Sequence, residues 1–134
     1  MFSFFNYFLK KRKSHDVVKL LNPGDLFFDI GAHLGDKSKQ VIDKNLKAIM
    51  LEPLPQCIDQ LKAKFKNNDN VEIIQKAVGR ESGNMALEVN SKTPTISTMA
   101  KHWKKGRFSG EKWDQKILVE MTTLDHLIKV YGIP

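Results

Sequence analysis

The segment Asp29-Ile30-Gly31-Ala32-His33-Leu34-Gly35-Asp36 brings a carboxylate, two glycines and an imidazole into eight consecutive residues. Gly31 lets a backbone turn sharply, and Gly35 lets a following helix begin close to the sheet. Asp29 is an acid inside an apolar run, a costly placement unless its carboxylate is hydrogen-bonded. It can accept from loop amides or face a cationic ligand. Seventeen residues past Gly35, Glu52 closes a second apolar run and is followed by Pro53 and Leu54. A carboxylate at such a strand end can accept hydrogen bonds from both hydroxyls of a ribose. Ala77 and Val78, small and apolar, follow a third apolar run and suit the border of an adenine ring. A glycine loop alone is often just a tight turn. Three such features at three successive strand ends predict a nucleoside crevice.

The elements needed to position these residues are legible as an alternation. Leu26–Ile30, Ala48–Leu51 and Val71–Ile74 are apolar runs of strand length, as expected of strands covered on both faces. Between them, Asp36–Lys44 reads as a helix with Val41 and Ile42 inward. Pro55–Phe65 reads as another, with Ile58, Leu61 and Phe65 on one stripe. Asp16–Leu21 reads as a helical turn ended by Asn22-Pro23-Gly24. Strand and helix in alternation imply right-handed crossovers and a parallel sheet with helices on its faces. After Gly79 the pattern changes. Asn84–Val89 and Ile117–Met121 alternate like half-exposed strands that pair with each other, a hairpin inserted after the third strand. The stretch between them, which includes Lys101, His102, Lys104, Lys105 and Arg107, reads as a loop too long to be idle. Thr122 or Thr123 caps a last helix running through Tyr131, with Asp125 suited to its first turn.

Residue types narrow the ligand. A phosphate-binding P-loop needs Gly-x-x-x-x-Gly-Lys-Ser/Thr, and Asp36 stands five positions after Gly31. A dinucleotide loop prefers Gly-x-Gly-x-x-Gly, and His33 occupies its second glycine, where backbone should approach the pyrophosphate. An acidic residue beside the loop suits a ligand with an amine and a sulfonium, and S-adenosylmethionine is such a ligand. The dispersed His15, His33, His102 and His126, with the single Cys57, offer no metal-ligand spacing.

At 134 residues and 41% apolar content, the chain is one domain's worth of globular protein. A single cysteine excludes an intramolecular disulfide and suits a reducing, cytoplasmic location. No apolar run approaches the ~20 residues of a membrane span. The net charge is +7, and Lys10, Lys11, Arg12 and Lys13 supply four of these charges, so the balance does not indicate specific nucleic-acid binding. Residues 1–13 form a separate aromatic and basic segment ahead of the domain at 14–134. Phe2, Phe5, Phe8 and Leu9 share one face when placed on a helix. Such a face packs on the domain's own core or, as the less common alternative, lies against a membrane surface.

Residues 29–35 resemble the Asp-x-Gly-Ala-Asn-x-Gly loop of the FkbM family of S-adenosylmethionine-dependent methyltransferases, with His33 where that pattern has Asn. Glu52-Pro53-Leu54-Pro55 is similar to its Glu-Pro-x-Pro element, and Ala77-Val78-Gly79 with Gly83 to the turn after its third strand. Ser97-Thr98 and Thr123-Leu124-Asp125 resemble two further elements. The resemblance implies a class I Rossmann-like, doubly wound α/β fold and methyl transfer to a hydroxyl of a sugar, lipid or natural-product acceptor. It implies that Asp29, Gly31, Ala32, His33 and Gly35 hold the methionine part, Glu52 the ribose, and Pro53, Leu54, Ala77 and Val78 the adenine. The family pattern continues past the equivalent of Pro134 with an apolar strand and an Asp-x-Glu-Gly element. Its absence implies an incomplete sheet with Leu26–Ile30 at a bare edge, a cofactor-binding fragment of low activity, or a chain completed by another copy. No catalytic base is identified, and His102 and His126 are candidates by residue type only. Two other readings stay open: a nicotinamide-dinucleotide-binding fragment and a non-catalytic protein docking on membranes through residues 1–13.

Overall fold

The computed structural model describes residues 19–98, 101–106 and 108–134. The aromatic and basic segment at 1–13, and the first half of the helical turn expected at Asp16–Leu21, lie outside the described residues.

Three parallel strands form the first sheet: β1 (Leu26–Ile30), β2 (Lys47–Leu51) and β3 (Val71–Ile74), in the order β1-β2-β3. Helices α1 (Asp36–Ile42) and α2 (Pro55–Phe65) make the two crossovers. Phe28 lies opposite Ile49, Ile30 opposite Leu51, and Leu51 opposite Ile74. The central strand explains the continuous apolar run at 48–51. With a neighbour on each side and a helical layer on each face, Ala48, Ile49, Met50 and Leu51 are all fully buried. Side chains alternate across the sheet. Ala48 and Met50 pack with Ala32 and with Ile58 and Leu61 of α2. Ile49 and Leu51 pack with Leu127 on the opposite face. Each of the large side chains among them contributes roughly 1.5–3 kcal/mol by leaving water.

Leu127 belongs to α4 (Leu124–Tyr131), whose first turn is capped by the Thr123 hydroxyl accepting from the His126 amide at 3.1 Å. Helices thus cover both faces of the sheet, and the architecture is the doubly wound α/β arrangement that the alternation predicts. Among the described residues β1 is hydrogen-bonded on one side only, to β2.

The second sheet holds β4 (Ala77–Gly79), β5 (Gly83–Val89) and β6 (Gln115–Thr123) in the order β4-β6-β5. The antiparallel pairing of β5 with β6, Met85 opposite Val119 and Leu87 opposite Ile117, is the predicted hairpin. Ala77-Val78-Gly79 departs from expectation: it is a strand parallel to β6, with Ala77 opposite Met121, rather than a turn. Three residues are too few for a periodicity signal, and their pairing partner lies some forty positions away. Gly79 fits here because a β-carbon would come within 2.8 Å of Met121 Cε. The basic stretch read as loop contains a short helix, α3 (Lys101–Lys105), and α1 stops at Ile42 rather than Lys44. Leu54 and Cys57 join Leu87, Val89 and Val119 in a cluster that locks the two sheets together.

Candidate nucleoside site

The loop between β1 and α1 docks on the end of β2. The Gly31 and Ala32 amides both donate to the Leu51 carbonyl, at 2.8 and 3.0 Å. Gly31 turns through φ +78° and His33 through φ +50°, both left-handed. For His33 that backbone costs roughly 1–2 kcal/mol. The hydrogen bond that offsets it comes from Glu52, whose Oε2 accepts the His33 amide at 2.9 Å. Glu52 Oε1 accepts the Leu54 amide, also at 2.9 Å. Glu52 as a residue is 5% exposed. Two charge-assisted hydrogen bonds fix its plane. An ionised carboxylate has about four acceptor sites, so two remain for a ligand. Burial first, and then the Glu52 charge, push the neighbouring Cys57 thiol up from its ordinary value, which keeps it protonated and inert.

Asp29 is buried and accepts a hydrogen bond from the Ser38 hydroxyl of α1 at 2.6 Å. The loop amide at His33 goes to Glu52, not to Asp29, so Asp29 ties β1 to α1 from within the core. Ser38 was not foreseen. Its signal was a small polar residue on the inward face of a helix. Lys64 of α2 holds the loop from outside, donating to the Leu34 carbonyl at 2.7 Å and meeting Asp36 at 3.0 Å. At Gly35 the close neighbour is α2 rather than the sheet: a β-carbon would lie 2.6 Å from Phe65 Cε2 and 2.8 Å from Leu61 Cδ2.

Gly31, His33, Glu52, Pro53 and Leu54 line one cleft of about 180 Å³. Its far wall comes from β5 and the long connection after it, through Leu87, Pro94, Thr95 and Ser97. That wall is built from sequence with little periodicity: its length marks it as more than an idle loop, but nothing in its spacing assigns a site residue. The Asn90 side chain accepts from the Lys92 and Thr93 amides and turns the chain into a single 3₁₀ turn at Pro94–Ile96. Thr98 then pairs with Glu88 of β5 through two backbone hydrogen bonds of 2.9 and 3.0 Å. Ser97 is thereby held against the cleft, and its hydroxyl oxygen, buried, has no hydrogen-bond partner among the described residues. The cleft is smaller than the ~300–1,000 Å³ of sites that enclose a whole drug-sized ligand.

Five of the ten sequence-predicted residues therefore meet in this cleft. Ala32 and Ala77 are buried in apolar clusters on either side of it, and Val78 packs beneath Leu127. Asp29 and Gly35 shape the loop from behind. His102 is exposed on α3, and His126 borders a separate recess with Lys76 and Glu120, so neither lines the Glu52 cleft.

No family model and no curated protein matches the chain. Similar solved structures include a precorrin-6y C5,15-methyltransferase from Geobacter metallireducens, 20% identical over 46% of this chain and 36% of that one, with a TM-score of 0.42. A putative rRNA methylase from Clostridium thermocellum is 19% identical over 48% and 39% of the two chains, with a TM-score of 0.44. A SAM-dependent methyltransferase from Geobacter sulfurreducens, in complex with S-adenosyl-L-homocysteine, is 19% identical over 48% and 28%, with a TM-score of 0.40. The match thus spans less than two fifths of the length of each of these chains. The likeness is one of partial fold.

Proposed function

We propose that this chain carries the cofactor-holding part of an S-adenosylmethionine-dependent methyltransferase of FkbM type, acting on a hydroxyl of a small-molecule, lipid or glycan acceptor. The observation that carries the reading is Glu52: a buried carboxylate at the end of the second parallel strand, fixed by the His33 and Leu54 amides and lining a cleft with the glycine loop. Its two remaining acceptor sites match a pair of ribose hydroxyls in number and chemistry. Beside it, Pro53, Leu54, Leu87 and Pro94 give the cleft an apolar lining suited to a flat base.

When bound, S-adenosylmethionine supplies a methyl group on a sulfonium, open to in-line displacement by an acceptor oxygen. The chain's own contribution is positioning and exclusion of water. Glu52 grips the ribose, the Gly31–His33 turn brings backbone close to the ligand, and the apolar lining desolvates it. Lys64 and Ser38 keep the loop in register from outside and inside. A dinucleotide is disfavoured, because His33 fills the position where a pyrophosphate needs bare backbone.

Calorimetric titration with S-adenosylmethionine, S-adenosylhomocysteine and NAD tests the reading. Binding of the first two and not of NAD is expected. Binding of NAD alone overturns it.

A further inference from the structure

A buried hydroxyl without a partner is costly, and native chains keep few of them. Ser97 is such a case, and its position is specific. It lies across the cleft from Glu52, on a segment held by the Asn90 turn and the Thr98–Glu88 bridge. A serine hydroxyl both donates and accepts, so it can meet either kind of heteroatom. Of the other residues of that wall, Leu87 and Pro94 offer no side-chain polar group, and Thr95 is exposed, so Ser97 carries the buried, unpartnered one. We propose that Ser97 Oγ is a ligand-binding group, completing its hydrogen bonding only when the nucleoside part of the cofactor fills the cleft. The inference rests on the nucleoside reading of the cleft and adds to it a contact from the second sheet.

The consequence is that folding and binding respond to Ser97 with opposite signs. Replacing it by alanine removes a hydroxyl that has no hydrogen-bond partner among the described residues, so the unliganded chain becomes no less stable, or more so. The same change removes a hydrogen bond to the ligand, and one such bond corresponds to about a three- to tenfold weakening.

The test measures thermal unfolding without ligand, and calorimetric affinity for S-adenosylhomocysteine and for adenosine, on wild type, Ser97→Ala and Ser97→Cys. Expected for Ser97→Ala is an unchanged or raised unfolding midpoint, with both ligands weakened by about the same factor. Ser97→Cys keeps the volume with a weaker donor and is expected to fall between. A lowered midpoint with unchanged affinity makes the hydroxyl structural and overturns the proposal. Weakening of S-adenosylhomocysteine with adenosine unaffected also overturns it, because the contact then lies on the methionine part. If neither ligand binds the wild type, the proposed function fails and this inference with it. Tight wild-type binding indifferent to Ser97 overturns the inference alone.

Discussion

Glu52 Oε2 and the amide nitrogen of His33 stand 2.9 Å apart, joining the end of the second strand to the apex of the loop after the first. One contact does two things. It stabilises a left-handed backbone at a residue that is not glycine, and it aims a buried carboxylate across the cleft. Removing the carboxylate should therefore disturb loop and ligand together. Glu52→Ala is expected to lower unfolding free energy by about 2–4 kcal/mol, since two charge-assisted amide bonds are lost. It should also weaken S-adenosylhomocysteine at least tenfold. Urea denaturation and calorimetry check both values. Glu52→Gln keeps the volume and part of the amide bonding, so it should lose affinity while retaining more of the stability.

The two glycines of the loop should respond differently to the same substitution. Both have positive φ, but a β-carbon at Gly31 meets open space, whereas one at Gly35 runs into Phe65 and Leu61. Gly31→Ala should cost about 1–2 kcal/mol, the strain of the left-handed backbone. Gly35→Ala adds overpacking to the same strain and should cost about 1–3 kcal/mol more. Equal losses in denaturant titrations would show that the α2 contact yields easily.

Asp29 and Ser38 form a buried pair, so the effect of breaking it depends on which side is removed. Ser38→Ala leaves a buried carboxylate short of a donor and should destabilise by about 1–3 kcal/mol. Adding Asp29→Asn to that background should recover part of the loss, because a neutral amide is cheaper to bury than a charge. A double-mutant cycle measures the coupling directly.

The C-terminal helix carries a pH-sensitive link. The Tyr131 hydroxyl donates to the Glu72 carboxylate of β3, and its ring meets Phe28 edge-on. Burial, followed by the Glu72 hydrogen bond and charge, pushes its pKa up to about 12. The folded pKa is raised above the unfolded one, so the neutral phenol favours the folded state. That stability is complete below about pH 10 and is lost as pH rises toward 12. Wild type should therefore lose stability across that window more steeply than Tyr131→Phe, which starts lower and has no phenol to ionise. Chemical denaturation at pH 8, 10 and 11.5 compares the two.

How far the sequence reveals the molecule depends on how local each feature is. The three parallel strands were visible because Leu26–Ile30, Ala48–Leu51 and Val71–Ile74 are short apolar runs bounded by turn residues and spaced by amphipathic helices. A threonine cap at 122 or 123 and the helix to Tyr131 were visible because capping chemistry acts within one turn, and the structure selects Thr123. Glu52 was legible as a candidate because it closes the second apolar run, at a strand end where an acid can accept from ribose hydroxyls. What escaped depended on distant partners. Ala77–Gly79 is a strand only because β6 lies alongside it. Gly35 looks like a sheet contact until Phe65 is folded against it. Ser97 gains its meaning from burial, which no spacing of serines and threonines announces.

The two walls of the Glu52 cleft belong to different hydrogen-bonded platforms. The glycine loop and Glu52 hang from the parallel sheet, while Leu87 and the Pro94–Ser97 turn hang from the antiparallel hairpin. A molecule wedged between them acts as a rivet. Its binding energy is shared by both halves, so amide exchange should slow at Val89 and Val119 as well as at Gly31, far beyond the atoms the ligand touches.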